Sequence, residues 1–131
     1  MNVENLLEGS VEAIEGAVVS IAAGGERLRG PWTGRERPSR GQQACMAIRA
    51  ERLKLGQPPA GGGDGCNLIA CRPGATIYKG KYLDQTLETT LGPIKARVWD
   101  RDVALDTLTS LWWRPGDCAV TSAGEDRKSV V

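Results

Sequence analysis

The chain has 131 residues, with 17 lysines and arginines against 16 aspartates and glutamates, a formal net charge of +1 and no histidine. That length holds one domain, or two very small β units sharing a core, and leaves no room for an ATPase or dehydrogenase domain as well. Near-neutral charge supplies no field to draw in nucleic acid or anionic lipid, and without histidine the usual general base near neutral pH and the commonest metal ligand are missing.

Taken in chain order, residues 4 to 14 and 17 to 23 read as two short strands around a tight turn at Glu15-Gly16. In the second strand the apolar positions, Val18 or Val19 with Ile21, are too few to assign an inner face. A third strand fits residues 26 to 32, with Gly24-Gly25 as the turn before it and Pro31 restricted to an edge or an end. A polar, arginine-bearing loop follows. In residues 41 to 49, Gln43, Cys45, Ala47 and Arg49 alternate with Ala44, Met46 and Ile48, the pattern of a half-buried strand. ERLKL closes this first β unit, residues 1–55.

The stretch at 56–65, GQPPAGGGDG, is too rich in glycine and proline for a ladder or a helix and reads as a linker or exposed hairpin tip. A second β unit, 66–123, opens with CNLIACRPGATIYKG. Its next segment, YLDQTLETTL, also has a helical reading, but three threonines favour a strand. Then IKARVWD sets Ile94, Ala96 and Val98 against Lys95, Arg97 and Trp99. TLTSLWW, a turn at Arg114-Pro115-Gly116-Asp117 and a short strand CAVTS follow, and residues 124–131 read as a frayed tail. Asn5-Leu6-Leu7 and Asn67-Leu68-Ile69 open the two halves alike, a weak internal repeat that suggests two units built to one plan and sets Gly9 against Cys71.

Motifs for chemistry are sparse. The run GGGDG lacks the lysine and helix of a phosphate-binding loop. The carboxylate pairs Asp100 with Asp102 and Glu12 with Glu15 read as solvated, and no serine stands in a G-x-S-x-G setting. Cys45, Cys66, Cys71 and Cys118 have no second close pair to complete a tetrahedral zinc site. Neither a metal nor a cofactor is expected in this chain. Arg27, Arg29, Arg35, Arg37 and Arg40 fall within fourteen residues and could cradle an anion or a partner's acidic surface, although Glu26 and Glu36 dilute them. Trp32, Trp99, Trp112 and Trp113 read as core or interface anchors rather than base-stacking platforms. No run of 18 apolar residues occurs and the N-terminus lacks the regions of a signal peptide, so a cytosolic chain, or a cytosolic part of something larger, is expected.

Four stretches in order resemble the C-terminal accessory domain, called TOBE, of ATP-binding subunits of bacterial ABC importers of the spermidine/putrescine and iron type. NLLEGSV at 5 to 11 resembles its opening strand N-x-x-x-G-x-V. GQQACMAIRAERLKL at 41 to 55 is similar to a strand ending in I-R-P-E, with Ala50 in place of proline. TIYKGKYLDQTLETTLG at 76 to 92 resembles V-x-Y-x-G and a following strand, and LWWRPGDCAVTS at 111 to 122 resembles a closing W-x-P-x-D-x-x-V-L segment.

The resemblance implies an all-β fold, an OB-fold-like small β barrel present as two interlocked TOBE-type units. It implies a non-catalytic regulatory and dimerisation domain of an importer of polyamine or a similar small solute, with ATP and Mg bound by an ATPase domain outside this chain. Its partners would be a second copy, that ATPase domain and a membrane permease, with no nucleic acid. Its place would be cytoplasmic, peripheral to the inner membrane, and the chain would be an excised C-terminal piece or a separately encoded remnant. Arg49 and Glu51, at the I-R-P-E strand end, with Trp112 and Trp113, are candidate interface residues, a core role for the tryptophans being the competing reading. The alternative function is a free-standing module binding a small ligand, an oxyanion, through the Arg27 to Arg40 cluster.

Overall fold

The computed structural model describes residues 4–58, 65–99 and 105–123. Most of the linker, the tail and the pair Asp100 and Asp102 lie outside them. Eleven strands form among the described residues: β1 Glu4–Glu15, β2 Val18–Ala23, β3 Glu26–Pro31, β4 Gln43–Arg49, β5 Lys54–Leu55, β6 Asn67–Ala70, β7 Arg72–Tyr78, β8 Leu83–Thr89, β9 Gly92–Val98, β10 Ser110–Trp113 and β11 Cys118–Ser122. Short 3-10 turns at Ala50–Arg52 and Pro115–Asp117 link β4 to β5 and β10 to β11. YLDQTLETTL gives a strand, as its threonines require. Alternation predicts burial correctly in β9, where Ile94 and Ala96 are fully buried and Val98 nearly so, and in β2 it is Val19 that joins Ile21 in the core.

The strands make three antiparallel sheets, ordered β11-β4-β1-β2-β3, β5-β10-β6 and β7-β8-β9. They are not closed, and this corrects the β barrel that the family resemblance implies. The outer edges of the five-stranded sheet, β3 and β11, pack together, but their backbones pair only at an isolated parallel bridge between Trp32 and Val120. Backbone chemistry accounts for the gap: Pro31 has no N–H to give, and the Trp32 N–H is already donated to Ala17 O at 2.8 Å. Only the Thr33 N–H reaches Val120 O, at 2.8 Å, so one bridge forms where a barrel needs a ladder.

The second half repeats the plan of the first with one break. Laid side by side, β11-β4-β1-β2-β3 matches β5-β10-β6/β7-β8-β9, where the single long β1 corresponds to β6 and β7 separated by Cys71 alone. A Cβ on Gly9 would run into the carbonyl of Ala22 on β2, so β1 passes unbroken over β2 only because residue 9 is glycine. Its counterpart Cys71 carries a side chain, and there the second copy of the strand divides. The halves also trade elements. β11, from the end of the chain, pairs with β4, and β5, from the first half, pairs with β10.

Reciprocal contacts show that the two plans are related by an approximate twofold. Asn5 donates to Lys95 O at 2.9 Å and accepts from Lys95 N at 2.9 Å, so it clamps the open side of β9. Asn67, the matching residue of the repeat, does the same to Arg29 on β3, with both bonds at 2.8 Å. A Cβ on Gly24, in the β2–β3 turn, would lie 2.6 Å from Leu91 in the equivalent β8–β9 turn, so the two hairpin tips touch. Between the sheets lies one apolar core, in which Leu7, Val19, Ile21, Leu28, Met46 and Ile48 mix with Ile69, Leu87, Ile94, Leu111 and Trp113. Burying that shared area from water is what holds the halves together.

Candidate anion-binding groove

The same twofold relation brings the two crossover turns together. Ala50–Arg52 packs against β9 and Pro115–Asp117 packs against β3. Each turn is preceded by an arginine in extended conformation, Arg49 at φ −69°, ψ 142° and Arg114 at φ −83°, ψ 149°. Superposing the repeat pairs Arg49 with Arg114 and Arg52 with Asp117. The latter two face each other across the join at 3.7 Å, as residues near a twofold axis must. At that spacing, with Arg52 more than half exposed, the pair contributes little to stability.

Between the turns lies an open groove of about 460 Å³ lined by Arg49, Glu51, Arg52, Lys54, Arg114 and Asp117. A second depression of about 390 Å³ shares Arg49, Arg52 and Asp117 and extends the surface toward Glu4 and Ala119. Four of the six residues of the first groove are cationic and two acidic, a formal surplus of two positive charges. Arg114 lies over the Trp112 ring, its guanidinium carbon 5.1 Å from the ring centroid, and this stacking positions it at the rim. Glu51 also acts on Arg97 of β9, whose hydrogen bond from Nε to Asp84 Oδ1, at 3.1 Å, raises its pKa above the ordinary value, with Glu51 adding a smaller push in the same direction.

The residues expected from the sequence fall in two places. Arg49 and Glu51 line the groove. Trp112 and Trp113 are 6% and 0% exposed, buried within the chain beneath it. The cluster from Arg27 to Arg40 lies away from the groove, on β3 and the loop after it. Arg27 ion-pairs with Glu12, Arg40 Nε donates to the Glu12 carbonyl at 3.3 Å, and Arg29 sits 3.7 Å from Glu15. Thus Glu12 gathers Arg27 and Arg40 and each β3 arginine faces a β1 carboxylate, while Arg35 and Arg37 sit exposed on the loop. Sequence reasoning missed Arg52, Lys54, Arg114 and Asp117. Extending the Asn5/Asn67 repeat to the strand ends would have set Arg49-Ala50-Glu51-Arg52 beside Arg114-Pro115-Gly116-Asp117 and found them.

Beside the groove, Cys118 is buried with its sulfur 3.3 Å from Pro115 O and 3.6 Å from Arg29 O. Burial pushes its thiol up to about 11, with the Trp113 indole acting in the opposite direction and the Asp117 charge adding to the rise. Burial likewise raises the Cys71 thiol. Neither is a ready nucleophile. Among the described residues no three histidine, cysteine, aspartate or glutamate side chains are grouped to hold a metal ion, and no helix is long and apolar enough to cross a membrane.

No protein-family model matches the chain. In sequence it is 32% identical over 130 residues, 97% of its length, to the spermidine/putrescine import ATP-binding protein PotA of Rubrobacter xylanophilus, and it spans 31% of that relative. In structure it is similar to the cytoplasmic molybdate-binding protein ModG, solved with molybdate bound, with a TM-score of 0.74 and 19% identity over 88% of this chain and 94% of that one. The second likeness is one of fold. The chain is an all-β domain whose sequence is related to one part of an import ATP-binding protein and whose fold is shared with ModG.

Proposed function

We propose that this chain is a non-catalytic module that binds a small oxyanion in the groove between its crossover turns. The observation that carries this reading is the convergence of Arg49, Arg52, Lys54 and Arg114, two from each side of the repeat or its exchanged strand, on one open groove. Guanidinium forks match oxyanion geometry, and cations gathered in a partly walled cleft bind anions more strongly than the same charges dispersed. The fold shared with a molybdate-binding protein supports the same reading.

Calorimetric titration with phosphate, sulfate, molybdate and tungstate at low salt tests it. One anion should bind with a stoichiometry near one per chain. Arg49→Ala and Arg114→Ala, related by the internal repeat, should each weaken it by about tenfold, the scale of one charge-assisted hydrogen bond. Unchanged affinity in both variants, or no heat with any anion, ends the proposal. The Arg27 to Arg40 cluster is the rival location, and an effect of Arg37→Ala in place of the groove variants would move the site there.

A second reading has its own observation, the match of nearly the whole chain to part of an import ATP-binding protein. On it, the chain is the regulatory and self-associating part of an importer ATPase. It pairs with a second copy through the surface around Arg49 and Glu51, works beside an ATPase domain and a permease, and sits in the cytoplasm at the inner membrane. Light scattering over a concentration series tests the pairing: a mass near two chains supports it, and a single chain at high concentration removes it.

A further inference from the structure

The groove is not uniformly basic, and its acidic members point to a narrower ligand class. Glu51 and Asp117 line the same space as the four cations and are both partly buried, the Asp117 side chain being 24% exposed. A carboxylate is an acceptor only. Opposite sulfate, molybdate or a phosphomonoester dianion, whose oxygens are also acceptors only, it adds repulsion and leaves both partners without a proton to share. Opposite hydrogen phosphate it accepts the one O–H that this dianion carries. The surplus of two positive charges on the lining matches the charge of that ligand. From this we infer that the groove selects inorganic hydrogen phosphate, the cations taking its unprotonated oxygens and Glu51 or Asp117 taking its proton.

The inference rests on the oxyanion reading of the groove and adds to it a discrimination that charge alone cannot make. Hydrogen phosphate and sulfate carry the same charge and nearly the same shape, so a purely electrostatic site binds both alike. Asp117 is held near Arg52 at 3.7 Å, too far for a close fork, which leaves its oxygens with acceptor capacity toward the groove. Glu51 reaches the groove from the other turn.

The experiment is a set of titrations at about pH 8, where inorganic phosphate is mainly the hydrogen phosphate dianion and a phosphomonoester, with a second pKa of about 6, is fully ionised. The ligands are inorganic phosphate, arsenate, sulfate, molybdate and methyl phosphate, with the wild-type chain and with Glu51→Gln and Asp117→Asn. Phosphate and arsenate, which carry the O–H, should bind at least about fivefold tighter than the other three, on the scale of a single hydrogen bond to a charged group. In at least one variant the preference should collapse because sulfate gains and phosphate does not. That change of ratio is the decisive readout, since removal of a negative charge by itself strengthens all the dianions together. Wild-type binding of sulfate or molybdate as tight as phosphate overturns the selectivity and leaves the oxyanion reading standing. A uniform gain for every anion in both variants overturns the acceptor role. If no anion binds, both readings fall together. Circular dichroism of each variant checks that the turns remain folded.

Discussion

Cys118 shows how a single residue ties burial to stability. Its thiol sits under β3, close to where a Cβ on Gly30 would be, with Trp113 behind it, and burial raises its pKa from 9.0 to about 11. With the folded value above the unfolded one, its contribution is fully present below pH 9.0 and is lost as the pH rises toward about 11. The gap corresponds to about 2–3 kcal/mol once the unfolded chain has ionised and the folded one has not. Urea unfolding from about pH 7 to about pH 11 should therefore show a steeper alkaline loss for the wild type than for Cys118→Ala. The variant itself should cost about 1 kcal/mol near neutral pH from lost packing. Parallel curves would mean that the thiol ionises as easily folded as unfolded. Nothing in the sequence marks Cys118 among the four cysteines, because the difference is made by β3 and the turn before β11, which only the fold places over it. By contrast the alternation of β4 was legible, since a period of two puts Ala44, Met46 and Ile48 on one face, and that face is fully buried, although Cys45 on the other is nearly so.

At the scale of elements, the strands were readable and their partnerships were not. Turn chemistry at Gly16, Gly24-Gly25 and Arg114 to Asp117 set the boundaries within a residue or two, because a reversal needs those residue types. The reciprocal clamps, however, use an asparagine whose role is invisible without its target backbone. Asn5→Ala and Asn67→Ala each strip both partners from one outer-strand residue and should cost about 1–3 kcal/mol. The expectation is similar losses in the two variants, measured by urea unfolding, because the repeat gives both residues the same geometry. A large loss in one and none in the other would show that only one half depends on its clamp. The hairpin tips make a sharper comparison. Gly24 and Gly25 both have positive φ, 53° and 85°, yet only Gly24 faces Leu91 and the carbonyl of Thr90, while space around Gly25 is open. Gly25→Ala should cost about 1 kcal/mol from backbone strain alone and Gly24→Ala clearly more, because a neighbouring turn must also move. Equal losses would mean that the tips do not press on each other in solution.

For the molecule as a whole, the all-β class and the likeness of the halves were legible and the resemblance implied interlocked units, but neither the lack of closure nor which strands are exchanged could be read. A resemblance transfers a fold and not the hydrogen bonds of one edge, so the barrel it implied failed where Pro31 lacks a donor and where Cys71 divides a strand. The exchange of β5 and β11 was hidden because pairing partners are set by three-dimensional packing and leave no short-range signal. It has a thermodynamic consequence. Since β11 completes the sheet of the first half and β5 that of the second, neither half can unfold without uncovering the other's core. Trp32 reports on the first sheet at its bridge to Val120, and Trp112 and Trp113 report on the second within β10. In variants keeping Trp32 and Trp99, or Trp112 with Trp113 and Trp99, with phenylalanine at the sites removed, the fluorescence transition should coincide with the far-ultraviolet circular dichroism transition of the same variant, whatever the substitutions do to overall stability. The calorimetric enthalpy of the wild type should equal its van't Hoff value. Separated transitions would mean that the exchanged strands peel away first, so that each half keeps a core able to stand without its partner's strand.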